Sequence, residues 1–68
     1  MPLAKVIEVV ASSETSFDDA VRQGIAEASE TLRGISGVKV TDFTASVDGG
    51  KPTMFKVTMD VAFTIEKH

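Results

Sequence analysis

From Thr53 to Glu66 the chain alternates apolar and polar residues almost without interruption. Phe55, Val57, Met59, Val61, Phe63 and Ile65 fall on one face, and Lys56, Thr58, Asp60, Thr64 and Glu66 on the other, which is the period-two signature of a half-buried strand. The run is about twice the usual strand length of about 5–6 residues. A strand this long needs more covering than one short helix supplies, so further subunits are the expected source of cover.

Upstream, Leu3 to Val10 is a β-branched run that predicts a first strand, and the polar cluster Ala11 to Ser16 predicts a strand-to-helix connection. Phe17, Ala20, Val21, Gly24, Ile25, Ala28 and Leu32 recur at three- and four-residue spacing and predict an amphipathic helix. Ser16 is the expected N-cap, with Asp18 and Asp19 placing negative charge at the positive end of the helix dipole. At the far end Arg33 would complement the dipole and Gly34 would supply a left-handed C-cap. Gly24, on the buried face, would let the helix lie close to a sheet.

From Val38 to Val47 the apolar positions change phase. Val38 and Val40 share one parity, Phe43, Ala45 and Val47 the other, so a bulge near Thr41-Asp42 is expected. Asp48-Gly49-Gly50-Lys51-Pro52 predicts a hairpin connection, since glycine tolerates positive φ and Pro52 can start a strand without losing a ladder hydrogen bond. The fold class is therefore α+β, with order β-α-β-β over one domain, residues 1–68. The long last strand is expected in the centre of a three-stranded antiparallel sheet, with the helix on one face.

Size strengthens the expectation of an assembly. A domain of 68 residues buries only about 60% of the surface its unfolded chain exposes. Domains this small are commonly reinforced by disulfides, a metal or oligomerisation. The chain has no cysteine, and its one histidine is the terminal His68, so a homo-oligomer is the remaining route. The N-terminal residues lack a signal-peptide pattern and no apolar run is long enough to span a bilayer, so a cytoplasmic protein with no membrane partner is expected. The net charge is −3, the cations are scattered, and there is no Trp or Tyr to stack on bases, which argues against nucleic acid.

The chemistry on offer is sparse. No cysteine, no internal histidine and no G-x-S-x-G serine support nucleophilic catalysis, and the adjacent carboxylates Asp18 and Asp19 read as helix N-terminal charge, so no enzyme is expected. Phosphate at the helix start is opposed by Glu14, Asp18 and Asp19, and no glycine-rich phosphate loop is present. The segment Ser12 to Asp19 instead gathers hydroxyl, carboxylate and carbonyl oxygens, the donor type that calcium prefers. The same residues also read as a capped, solvated helix entry.

Val9-Val10-Ala11-Ser12-Ser13 with Thr15 to Ala20, the helix end Thr31-Leu32-Arg33, and the closing Phe55-Lys56-Val57 with Val61 to Glu66 together resemble the dodecin family. The resemblance runs over nearly the whole chain. It implies a three-stranded antiparallel sheet partly wrapped around one helix, and twelve copies forming a hollow sphere. Members of the best-known type bind riboflavin or FMN stacked between tryptophans and act as flavin stores. By that resemblance the flavin-site positions are Gly37, Thr44 and Lys56, where the flavin binders carry tryptophan, arginine and glutamine. A second branch, the calcium dodecins, also lacks the tryptophan and resembles this sequence in the turn from Ser13 to Asp18. On that basis Ser13, Thr15, Ser16 and Asp18 are the candidate metal-site residues. The expectation is a non-enzymatic shell that binds or stores a small ligand or ion, calcium first. A flavin binder with Phe43 or Phe55 as its platform and a purely structural shell are the alternatives.

Overall fold

A computed structural model describes residues 3–65. Four elements follow in order: β1 (Leu3–Ser13), α1 (Phe17–Thr31), β2 (Ile35–Asp48) and β3 (Lys51–Ile65). The sheet order is β1-β3-β2 with both pairings antiparallel, so the long last strand is the central one, as the alternation predicts. The first strand runs three residues beyond Val10, because β3 is long enough to pair Ala11, Ser12 and Ser13 with Val57, Lys56 and Phe55. Glu66 and His68 lie outside the described residues.

The helix begins as its sequence suggests. Ser16 is extended and its hydroxyl accepts the Asp19 amide at 2.9 Å. Its end departs from expectation. The helix stops at Thr31, Leu32 is the C-cap in extended geometry, and its amide donates to the Ala28 carbonyl at 2.8 Å. Leu32 is half-buried, so the chain already turns back toward the sheet there. Arg33 thus lies past the last turn, which holds no basic residue. Gly34 does take positive φ, +73°, but in the turn into β2, where its carbonyl accepts the Thr64 amide at 2.9 Å.

The phase change in β2 has the expected cause. The register slips between Val40 and Asp42, leaving Thr41 unpaired, and two further slips leave out Ser36 on β2 and Thr53 on β3. All three omitted residues carry a hydroxyl, and each hydroxyl donates across the ladder: Ser36 to the Ala62 carbonyl, Thr41 to that of Thr58, Thr53 to that of Ser46, at 3.2–3.4 Å. A bulge breaks the backbone ladder locally, and here a side chain replaces part of what the break removes. The slip at Thr41 puts Val38, Val40, Phe43 and Ala45 all on the helix side, opposite Val61, Met59, Val57 and Phe55. Gly49 and Gly50, with φ of +59° and +79°, form the hairpin turn.

The core lies where α1 crosses the sheet. Ala20, Val57, Met59 and Val61 are fully buried, and Val9, Ala11, Phe17, Val21, Val38 and Val40 pack around the first three. Phe17 meets Phe55 and Phe43 edge-on, with ring centroids 5.0 and 5.3 Å apart. The helix approaches closely because Gly24 has no side chain: a Cβ there would lie 2.7 Å from Met59 Cε and 2.8 Å from Ala11 Cβ. Gly24→Ala therefore should destabilise by about 1–3 kcal/mol through overpacking, against the gain of about 1 kcal/mol that the same change gives in an exposed helix. A urea unfolding midpoint at or above that of the parent would contradict this packing.

The molecule is long, 54 × 19 × 13 Å. It exposes 5083 Å2, where a compact monomer of 7.2 kDa would expose about 4,100 Å2. The uncovered surface is apolar at Leu3, Val6, Val10, Phe43 and Val47, each more than half exposed.

Candidate functional site

Two places collect the candidate residues. The first is the connection from β1 to α1. Ser13 is 6% exposed, and its hydroxyl donates to Asp19 Oδ2 at 2.6 Å while accepting the Thr15 amide at 2.9 Å and the Ser16 amide at 3.4 Å. Gln23, one turn along α1, donates its side-chain amide to the same Asp19 oxygen at 2.6 Å. Two donors on Oδ2 fix the carboxylate and orient it. An open cleft of about 350 Å3 lies against this cluster, lined by Ser12, Ser13, Glu14, Thr15, Asp19 and Gln23, with Met54 at its edge.

Of the four turn residues singled out from sequence, Ser13 and Thr15 line this cleft. Ser16 has its hydroxyl committed to the helix cap. Asp18 is on another side of the helix, exposed and paired with Arg22 at 3.1 Å, and the carboxylate in the cleft is Asp19. Glu14, Asp19 and Gln23 were not singled out as site residues. The spacing of Asp19 and Gln23, four apart on one helix face, and of Ser16 and Asp19, three apart across a cap, carried that signal. Among the described residues no three acidic, cysteine or histidine side chains come together, so the cleft has two carboxylates at most.

The second place is the sheet face that α1 leaves bare. Lys56 pairs with Thr44 on β2, and both are exposed on that face. Gly37 pairs with Ala62, six residues further along β3, or about 20 Å away at about 3.3 Å per residue. One protomer therefore does not unite Gly37 with Thr44 and Lys56 around one small molecule. Gly37 has no positive φ, and a Cβ there would meet nothing within 4 Å. Phe43 and Phe55 point to the helix side, opposite Thr44 and Lys56, so neither serves as a ring platform on the bare face of its own protomer.

An open three-stranded antiparallel sheet in the order β1-β3-β2, curled on a single helix, defines a small β-α-β-β class. The dodecin family model matches residues 3–66, and the chain belongs to the dodecin family. No curated protein matches it. Among solved structures it is similar to dodecin from Streptomyces coelicolor, with 30% identity, a TM-score of 0.92 and coverage of 98% of this chain and 96% of that one. Dodecin from Streptomyces davaonensis is similar at 29% identity and TM-score 0.92, covering 97% of each chain. The calcium dodecin of Mycobacterium tuberculosis shares the fold at 22% identity and TM-score 0.81, over 94% of this chain and 91% of that one. No helix among the described residues is long and apolar enough to cross a membrane.

The Ser13 hydroxyl holds the strand end, the turn and the helix start together. Ser13→Ala should cost about 1–3 kcal/mol, since it leaves two turn amides without their partner and takes one of two donors from the half-buried Asp19 carboxylate. Ser12→Ala, on the exposed face beside it, should change stability by less than about 0.5 kcal/mol. Chemical denaturation of the two variants side by side checks the difference.

Proposed function

We propose that the chain is a non-enzymatic shell protein of twelve identical subunits that binds a small hard cation, calcium, at the entry to α1. The carrying observation is the cleft in which Asp19 is oriented by Ser13 and Gln23 beside Glu14. Calcium takes 6–8 oxygen donors in flexible geometry. The donor set fits: two carboxylates, the free oxygen of the Gln23 amide and the hydroxyl of Thr15, with water completing the shell. The calcium bound by the M. tuberculosis relative is consistent with this reading. Two carboxylates support weak rather than tight binding, in the range of about 10⁻⁴–10⁻³ M.

The shell is supported by the surplus of surface. An excess of about 1,000 Å2 over a compact monomer is close to the share of about 800 Å2 that each partner contributes to a standard interface. Flavin stacking in the usual family mode has no platform, because Gly37 is bare and the phenylalanines face the other way.

Two measurements test the reading. Calcium at ten times Kd should stabilise by about 1.4 kcal/mol and raise the melting temperature, with magnesium doing markedly less. Asp19→Asn should abolish the shift and Asp18→Asn should retain it. A melting curve insensitive to calcium, with native mass spectrometry still showing twelve subunits, would leave a purely structural shell. For the flavin position, Gly37→Trp should assemble normally, since the backbone is unstrained and the space open, and should bind FMN more tightly than the parent by fluorescence quenching.

A further inference from the structure

The bare sheet face carries two lysines in different settings. Lys39 on β2 stands beside Asp60 on β3, which in turn pairs with Glu8 on β1, so its row supplies carboxylates. Lys56 occupies the central strand two rows away, with Ser12 on β1 and Thr44 on β2 directly across from it. All three residues of that row are exposed. Lys56 makes no ion pair with the described residues, and among those residues neither the Ser12 nor the Thr44 hydroxyl has a hydrogen-bond partner. This contrasts with Ser36, Thr41 and Thr53, whose hydroxyls are all spent on strand carbonyls. The nearest carboxylate by register is Asp42, which pairs with Thr58 one row along and so stands on the diagonal, about 7–8 Å away.

We propose that Lys56, Ser12 and Thr44 form a binding site for a tetrahedral oxyanion, the phosphoryl group of inorganic phosphate or of a phosphate monoester. Cross-strand neighbours have Cβ atoms about 4.5–5.5 Å apart, so a hydroxyl stands on each side of the lysine stem. That stem is flexible and long enough to bring its ammonium over either neighbour. The ammonium then supplies charge-assisted hydrogen bonds and the hydroxyls supply neutral donors to other oxygens of the same anion. A carboxylate offers two oxygens in one plane, whereas a phosphoryl group offers three that spread toward donors on three strands. The site adjoins the cation cleft at Ser12 but uses none of its carboxylates.

The chain carries net charge −3, so diffuse attraction of anions is not expected and saturable binding is informative. Isothermal titration of the full chain with inorganic phosphate at low ionic strength should give one saturable site per subunit, competed by salt. Lys56→Gln should weaken it about tenfold or more, while Lys39→Gln should change it by less than about twofold. Ser12→Ala combined with Thr44→Val should weaken binding several-fold with the charge intact and the melting temperature unchanged. Glycerol phosphate distinguishes the sources: binding of both probes shows an open site that takes a monoester, and binding of phosphate alone confines the site to the free ion. Equal losses from Lys39→Gln and Lys56→Gln, or no saturation, would overturn the proposal.

Discussion

A strand rises about 3.3 Å per residue and a helix 1.5 Å, and this inequality governs the molecule. The helix and the central strand each contain 15 residues, so a helix of about 22 Å lies on a strand of about 50 Å. Full burial centres on the crossing, where Ala20 meets Val57 and Met59 beneath a helix brought close by Gly24, and extends along β3 only to Val61. Beyond the helix ends the same apolar alternation continues with nothing above it in the single chain. The long strand is thus both the scaffold of the core and the reason the core is unfinished.

That arrangement separates two kinds of surface. On the helix side the sheet is apolar, and its chemistry is confined to the edge where β1 hands over to α1. On the other side the central strand displays Lys56, Thr58, Asp60 and Thr64, and the Lys56 and Asp60 rows have polar neighbours on both flanking strands while Val6 and Val10 lie between and beyond them on β1. Charge and hydrogen-bonding capacity therefore occur as rows across three strands, and a row exists only when the full register is in place. The hydroxyl-bearing bulges fix that register, since sliding β2 by one residue would remove all three side-chain bonds and turn its apolar residues away from the helix.

Much of this was legible in the sequence because the signals are periodic. The alternation after Thr53 gave the central strand, the helical spacing from Phe17 gave α1, and the parity change between Val40 and Phe43 marked the bulge at Thr41. The slips at Ser36 and Thr53 were not legible, because neither flips a long apolar set. Arg33 and Gly34 were misread because Leu32, a residue of good helix propensity, leaves the helix for the sheet under a tertiary demand that local pattern does not carry. The choice of Asp19 over Asp18 in the cleft was hidden for a related reason. Adjacent residues on a helix differ by about 100° in direction, and only the position of Ser13 at the end of a paired strand decides which of them is met.

Strand order also bears on how the chain comes into being. Both β1 and β2 pair with β3 and not with each other, and β3 follows both of them in the chain. A nascent chain emerging from the ribosome therefore has a helix but no sheet to lay it on until β3 has cleared the exit tunnel. Until then β1 waits, apolar and unpaired, while α1 and β2 are made. Closure of the sheet is thus a single late event, because one strand completes both pairings at once.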